Sequence, residues 1–366
     1  MKKVLFGILA AAIGWGGVST QAHAVNVKLV KRFSKSHCQH PKWSKDGRFI
    51  AYEVRHTRKR VIELRILDIE TSKTKVVRPS SLKVKGFRLG GLSSKSGMVS
   101  RELAWSPKGN KFLFSSNGSG SVYNVFQSNE GRLKINSRSK NDGQPAWSAN
   151  GKRVVFTSAR SGKGDLYTYH VKRMKAKRLT KYTDSTEFFP VWSPASNKRL
   201  AYVRHTDQED RIYVINNVFT KRSKRLTKWK KNVLELNPSW SPDGQRIAFF
   251  TVTSDGVYDL AVSDLSGNVR ILATNVIKSD QYGPAWSPNG KHIFYVQKKS
   301  RNRDEIRAVH VKSRNVKRFK TGTKLNNELS VVARDGNWML AFTSQGRSSS
   351  SGQIYRKLYL LTTKPF

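Results

Sequence analysis

Four histidines are the side chains in this sequence that could most readily hold a metal ion. His37, His40, His56 and His205 fall where the surrounding pattern predicts loops, and the last two share the tripeptide Arg-His-Thr. Neutral imidazole is a common ligand of divalent metals, so two or three converging rings could bind one ion. The alternative is that all four are polar loop residues without a ligand. We expect no cofactor and keep a divalent metal on these histidines as the alternative.

Basic side chains are the second group with binding chemistry. The chain has 69 Lys and Arg against 24 Asp and Glu, which gives a formal charge of +45. A face lined with charge of one sign attracts anions, and added salt weakens that attraction. The cations expected on one loop face are Arg58, Lys59, Arg60, Lys85, Arg88, Arg160, Lys163, Arg204, Lys230, Lys231, Lys298, Lys299, Arg301 and Arg303. They predict an anion-binding face, and the alternative is a surface that is cationic all over.

Two other kinds of chemistry have little support in the sequence. Cys38 is the single cysteine, which excludes a disulfide within the chain and zinc sites built from cysteine clusters. A serine hydrolase would need a Gly-x-Ser-x-Gly elbow, and the chain has none. We therefore expect a binding protein rather than an enzyme.

The first 24 residues have the pattern of a signal peptide. Lys2 and Lys3 precede an apolar run from Val4 to Val18, and Ala22-His23-Ala24 supplies a small-x-small cleavage site. The expected mature chain is 25–366, with no later segment apolar enough to span a bilayer. We expect a periplasmic location, with full secretion left open.

A short element recurs along the rest of the chain and positions these side chains. It has the form Pro-x-Trp-Ser-Pro-Asp-Gly, and a degenerate seventh copy runs from Val331 to Gly336 with Val332 in the tryptophan position. Periods of 40 to 50 residues are typical of four-stranded propeller blades. The tryptophans that anchor the six clear copies are Trp43, Trp105, Trp147, Trp192, Trp240 and Trp286.

Each copy predicts an inner strand, a tight turn and a second strand, because Pro, Asp and Gly favour turns. Third and fourth strands follow, among them Tyr258 to Leu265 and Val269 to Ala273. The last copy lacks a fourth strand, and the segment from Val27 to Phe33 is of the right type to supply it. We predict an all-β, seven-bladed propeller closed by this N-terminal strand, with six blades and a tail as the alternative.

The repeat Pro-x-Trp-Ser-Pro-Asp-Gly-x-x-Ile-Ala-Phe resembles that of the TolB family and covers nearly all of residues 25–366. The resemblance implies a TolB-like propeller of the bacterial cell envelope that binds a protein partner. We expect no counterpart here of the α/β domain that precedes the propeller in TolB. Similar repeats occur in the propeller domains of prolyl oligopeptidase-type proteases and in some polysaccharide lyases.

The function predicted from these patterns is a non-catalytic, exported scaffold. Its basic loop face would engage an acidic envelope protein or an anionic glycan or lipid, and we expect a monomer. Nucleic acid is not an expected partner, because an exported protein does not meet it. The alternative is a metal-dependent lyase of an acidic polysaccharide, similar to oligogalacturonate lyases, with the four histidines as metal ligands.

Overall fold

The structure is a computed structural model in which the described residues form seven antiparallel sheets. It describes residues 26–31, 36–56, 61–77, 99–107, 111–117, 122–128, 131–133, 141–229, 233–252, 256–347 and 354–366. The predicted signal peptide lies outside these ranges. None of the described segments is a helix with the length and apolar character needed to cross a bilayer.

Each sheet is one propeller blade, and the blades follow one another along the chain. Blade one contains β2 (Ser36–Trp43), β3 (Phe49–His56), β4 (Val61–Asp68) and β5 (Thr74–Val77). Blade two contains β6 (Ser100–Trp105), β7 (Phe112–Ser116), β8 (Asn124–Gln127) and β9 (Gly131–Arg132). Blade three contains β10 (Asp142–Trp147), β11 (Arg153–Ser158), β12 (Asp165–His170) and β13 (Lys175–Arg178). Blade four contains β14 (Thr186–Trp192), β15 (Leu200–His205), β16 (Asp210–Ile215) and β17 (Ser223–Arg225).

The remaining three blades complete the ring. Blade five contains β18 (Leu234–Trp240), β19 (Arg246–Val252), β20 (Tyr258–Asp264) and β21 (Val269–Ala273). Blade six contains β22 (Val276–Ile277), β23 (Ala285–Trp286), β24 (His292–Ser300), β25 (Arg303–His310) and β26 (Val316–Phe319). Blade seven contains β27 (Asn326–Arg334), β28 (Asn337–Arg347), β29 (Ile354–Thr363) and β1 (Asn26–Lys31).

The N-terminal strand closes the ring as predicted. Strand β1 pairs with β29 in antiparallel register from Asn26–Thr362 to Lys31–Leu358, and so becomes the outer strand of blade seven. An unpaired strand edge can pair with another chain and cause aggregation, and β1 covers the edge of β29. The seven-bladed prediction is confirmed, and the six-bladed alternative is wrong.

The serine of the repeat holds the turn between the first two strands. In blade one the Ser44 hydroxyl accepts the Phe49 N–H and donates to the Asp46 carboxylate. Gly47 has a φ of 71°, a conformation that glycine adopts without steric cost. The same serine contacts recur in blades three, five and six.

The tryptophans join neighbouring blades. The indole N–H groups of Trp105, Trp240 and Trp286 donate to main-chain carbonyls in the preceding blade, those of Lys42, Val191 and Ser239, at 3.0–3.1 Å. Each of these acceptors is the residue just before a tryptophan position. Apolar clusters between adjacent sheets continue the contact and form the core.

The degenerate seventh copy is displaced by one residue from the prediction. In blade one, the inner strand has a bulge, after which Lys42 and Trp43 are the first two residues that pair with the second strand. In blade seven, the first two residues that pair after the bulge are Ser330 and Val331. Val331 therefore occupies the tryptophan position, and the assignment of Val332 was wrong. The reason is the turn: here Asp335 and Gly336 alone connect the strands, both with positive φ, in place of the longer serine turn.

Blade six has an insertion in its inner strand. Between the paired residues Ile277 and Ala285 the chain advances eight residues, whereas it advances three from Gln39 to Lys42 in blade one. Residues 278–284, which we call the strap, therefore leave the sheet and run along the central channel.

Candidate functional site

The four predicted metal ligands lie in strands rather than in loops, so their predicted location was wrong. His37 and His40 belong to β2, and His56 and His205 are the last residues of β3 and β15. The strands extend further than the apolar pattern indicates because polar residues continue the pairing to the blade edge.

These histidines have separate partners. His56 lies 3.2 Å from the Glu63 carboxylate and His205 lies 2.6 Å from that of Asp210. Burial, followed by the nearby Arg356 and Arg55, lowers the pKa of His37. Among the described residues, no group of three or more His, Cys, Asp or Glu side chains has an arrangement that could hold a metal ion.

His40 links the first and last blades. Its Nδ1 atom lies 3.0 Å from Glu53 and its Nε2 atom 3.2 Å from Glu328 of blade seven. The His40 main-chain N–H also donates to Glu328, at 2.6 Å. Burial disfavours the charged ring, but the Glu328 and Glu53 carboxylates outweigh burial and raise the pKa of His40.

The predicted cations fall into three groups. Seven of them lie outside the described residues: Arg58, Lys59, Arg60, Lys85, Arg88, Lys230 and Lys231. Two are engaged by acidic side chains, since Arg160 contacts Asp142 at 3.0 Å and Arg204 contacts Asp184 at 2.9 Å. The other five are exposed: Lys163, Lys298, Lys299, Arg301 and Arg303.

Four of the exposed cations form one cluster, the blade-six tip, at the hairpin between β24 and β25. Ser300 pairs with Arg303, so the turn is tight and carries Lys298, Lys299, Arg301 and Arg303 together. None of the four makes an ion pair within the part of the chain that the structure describes. The acid beside them, Asp304, is buried, and burial raises the pKa of its carboxyl to about 6.

A second polar arrangement lies inside the channel and was not predicted. Residues at one equivalent place in each inner strand, three before the tryptophan position, form what we call the inner ring. Its members are His40, Glu102, Gln144, Phe189, Asn237, Gly283 and Glu328. All except Gly283 have positive φ, at the bulge that each inner strand makes.

Side chains near the bulges hydrogen-bond to the next blade. Glu53 accepts the Glu102 N–H at 3.2 Å, Glu102 accepts that of Gln144 at 2.7 Å, and Gln144 accepts that of Phe189 at 2.8 Å. Each bond satisfies a buried main-chain donor, which would be costly to leave unpaired. The inner ring could have been predicted from the sequence, because several of the residues three before the tryptophan position are polar.

A cavity of about 620 Å³ extends from the inner ring to the serine turns. Prolines and tryptophans of the repeat contribute to its walls in several blades. Lys42 contributes its ammonium group, which lies 4.1 Å from the centre of the Tyr282 ring. Burial lowers the pKa of Lys42 to about 8, so the side chain remains mainly charged at pH 7.

The seven sheets and the inner ring define this chain as a repeat propeller. Comparison with known families also identifies a propeller domain. A family model described as the TolB beta propeller domain matches residues 21–233. Because the match covers more than half of the chain, the chain belongs to this family.

Among individual proteins, the chain is 28% identical over 163 residues to the Tol-Pal system protein TolB of Francisella tularensis subsp. mediasiatica (strain FSC147). That match covers 43% of this chain and 35% of the relative, so the shared part is about a third of that protein. The crystal structure of TolB from Acinetobacter baumannii superposes with a TM-score of 0.54 at 21% identity, covering 75% of this chain and 63% of that one.

An oligogalacturonate lyase from Vibrio parahaemolyticus is also similar in structure. It has a TM-score of 0.64 at 10% identity and covers 92% of this chain and 93% of its own. At this identity the likeness shows the fold alone.

Proposed function

We propose that this chain is a non-catalytic, TolB-like binding scaffold of the bacterial envelope. It is exported to the periplasm and works as a monomer that engages an acidic protein or an anionic envelope polymer through its basic loop face. The observation that carries the proposal is the blade-six tip, where four exposed cations lie together and make no ion pair among the described residues.

Two other cations predicted for the same face already have acidic partners, which supports the blade-six tip as the binding site. Arg160 and Arg204 already have carboxylates within 3.0 Å, so an incoming anion would compete with an existing partner. At the tip the nearest acid, Asp304, is buried. Each cation near an anionic surface contributes about 1 kcal/mol, and such contributions fall with salt.

The experiment compares two variants with equal charge loss. In the tip variant, Lys298, Lys299, Arg301 and Arg303 are all replaced by Gln. In the control, Lys172, Arg173, Lys175 and Lys177, cations that are exposed at the β12–β13 hairpin on the opposite face, are replaced by Gln. Binding to phosphatidylglycerol vesicles, polygalacturonate and an acidic polypeptide is measured at low and high salt.

We expect the tip variant to lose about tenfold or more in affinity for at least one probe at low salt, while the control retains binding. Equal losses in both variants would mean that overall charge, not the tip, attracts anions. Binding that is indifferent to salt would also contradict the proposal.

The lyase alternative is not put forward as a second function. The structure places His56, His205 and His40 against separate carboxylates, and the similarity to an oligogalacturonate lyase is one of fold.

A further inference from the structure

The strap of blade six forms part of the wall of the channel cavity. The Gln281 side-chain amide donates to Glu53 of blade one at 3.0 Å, and the Tyr282 hydroxyl donates to the Leu103 carbonyl of blade two at 3.4 Å. Two side chains from blade six therefore reach across the channel. Gly283 permits this path, because a Cβ atom there would lie 2.4 Å from the Asn237 carbonyl oxygen.

Near the strap, two side-chain amides have buried atoms without hydrogen-bond partners among the described residues. Asn237 is 2% exposed, and neither its Oδ1 nor its Nδ2 has a hydrogen bond among the described atoms. The Oε1 atom of Gln281 is likewise without one. A buried amide left unpaired costs free energy, and both residues belong to the lining of the cavity.

Lys42 adds an uncompensated positive charge. No carboxylate lies within ion-pair distance of its ammonium among the described residues, and its neighbour is the Tyr282 ring. The residue just before the tryptophan position in the other six blades is Ala, Val or Ser, so Lys42 alone projects a charged chain from this position.

The acidic side chain in the cavity wall is already engaged. The Glu102 carboxylate accepts bonds from Gln144 and Ser115, and Arg101 lies 3.5 Å from its second oxygen. Lys42 therefore leaves the wall with an unmatched positive charge, next to a neutral amide and a largely apolar lining.

We propose that the channel cavity is a binding site for a small organic carboxylate with an apolar body. The carboxylate pairs with the Lys42 ammonium, and the body packs against the prolines and tryptophans of the lining. The cavity volume of about 620 Å³ suits such a ligand. This site is separate from the blade-six tip and does not depend on the proposed scaffold function.

The test uses 3-phenylpropionate, its neutral analogue 3-phenylpropionamide, and a series of straight-chain monocarboxylates. Binding is followed by calorimetry and by the fluorescence of the tryptophans that line the cavity. We expect saturable binding of carboxylates, at least tenfold tighter than that of the amide, because a bond to a charged group is the stronger one.

Lys42→Met should abolish the preference for the acid over the amide. Lys175→Met, which removes an exposed cation outside the cavity lining, and the blade-six tip variant should both retain it. Because Lys42→Met could fail to fold, a second measurement uses the unaltered protein: bound 3-phenylpropionate should slow acetylation of Lys42 relative to Lys175.

Three results would overturn the proposal. They are equal affinity for acid and amide, carboxylate binding by Lys42→Met as tight as in the unaltered protein, and no saturable binding by any member of the series. Loss of vesicle or polymer binding in the tip variant has no bearing on this site, so the two proposals fail independently.

Discussion

At the scale of single residues, the repeat tryptophans occupy the same position of the motif but differ in their hydrogen bonds. Trp192 and Trp240 are each 7% exposed. The Trp240 indole N–H donates to Val191 at 3.0 Å, whereas that of Trp192 has no partner among the described atoms. Comparing Trp192 with Trp240 therefore separates the contribution of the indole hydrogen bond to stability from the contribution of the buried ring.

Trp240→Phe should therefore destabilise the protein more than Trp192→Phe. Both substitutions remove part of a buried ring, but only the first also breaks a hydrogen bond and leaves a carbonyl unpaired. We expect a difference of about 1 kcal/mol or more in the free energy of unfolding. Chemical denaturation of both variants measures it, and equal losses would show that the indole bond contributes nothing.

At the scale of elements, the closing strand is the contact on which the ring depends. β1 pairs with β29, whose residues Leu358 and Leu360 belong to the core shared with blade one. Without β1, the edge of β29 would be open to pairing with another chain.

A chain beginning at residue 36 should be less stable than one beginning at residue 26, by about 3 kcal/mol or more, because several ladder hydrogen bonds are lost. It should also aggregate at lower temperature. Thermal unfolding and light scattering test both points, and a peptide of residues 25–35 added in trans should restore part of the stability. Identical melting curves for the two chains would contradict this role.

The strands were largely predictable because each blade repeats one local pattern. The predicted strand from Val269 to Ala273 coincides with β21, and that from Tyr258 to Leu265 exceeds β20 by one residue. The shift from Val332 to Val331 escaped prediction because it depends on strand register, which a two-residue turn changed. The four cations of the blade-six tip were among those predicted for the loop face, but Lys298, Lys299 and Arg303 lie in β24 and β25 rather than in a loop.

At the scale of the whole molecule, the features that escaped prediction join distant parts of the chain. His40 and Glu328 are 288 positions apart, and Gln281 and Glu53 are 228 apart. No local pattern reveals such contacts; they follow only when the ring is closed. The same holds for the cavity, whose walls come from all seven blades.

The His40 contact makes ring stability depend on pH. Because the pKa of His40 is raised in the folded state, its stabilising effect is complete below the ordinary pKa of 6.5 and is lost as pH rises through the folded value. The groups that face the ring are Glu53, Glu328, Asp280 and Tyr282.

His40→Asn keeps a residue that tolerates the positive φ of 51°. At pH 5.5 this variant should be less stable than the unaltered protein by about 1.5–3 kcal/mol, and the difference should shrink toward pH 9. Unfolding at a series of pH values measures it, with His205→Asn as the control. A difference that grows with pH would refute the assignment.

Neighbouring blades adhere through different chemistry at different places. Between blades seven and one the buried His40–Glu328 contact lies at the inner ring, and between blades six and seven Phe294, Trp338 and Phe366 pack together. Apolar contacts weaken on cooling, whereas the histidine contact weakens in alkali. Alkaline conditions therefore favour opening between blades seven and one. Cooling weakens both seams, because the seam between blades seven and one also contains an apolar cluster.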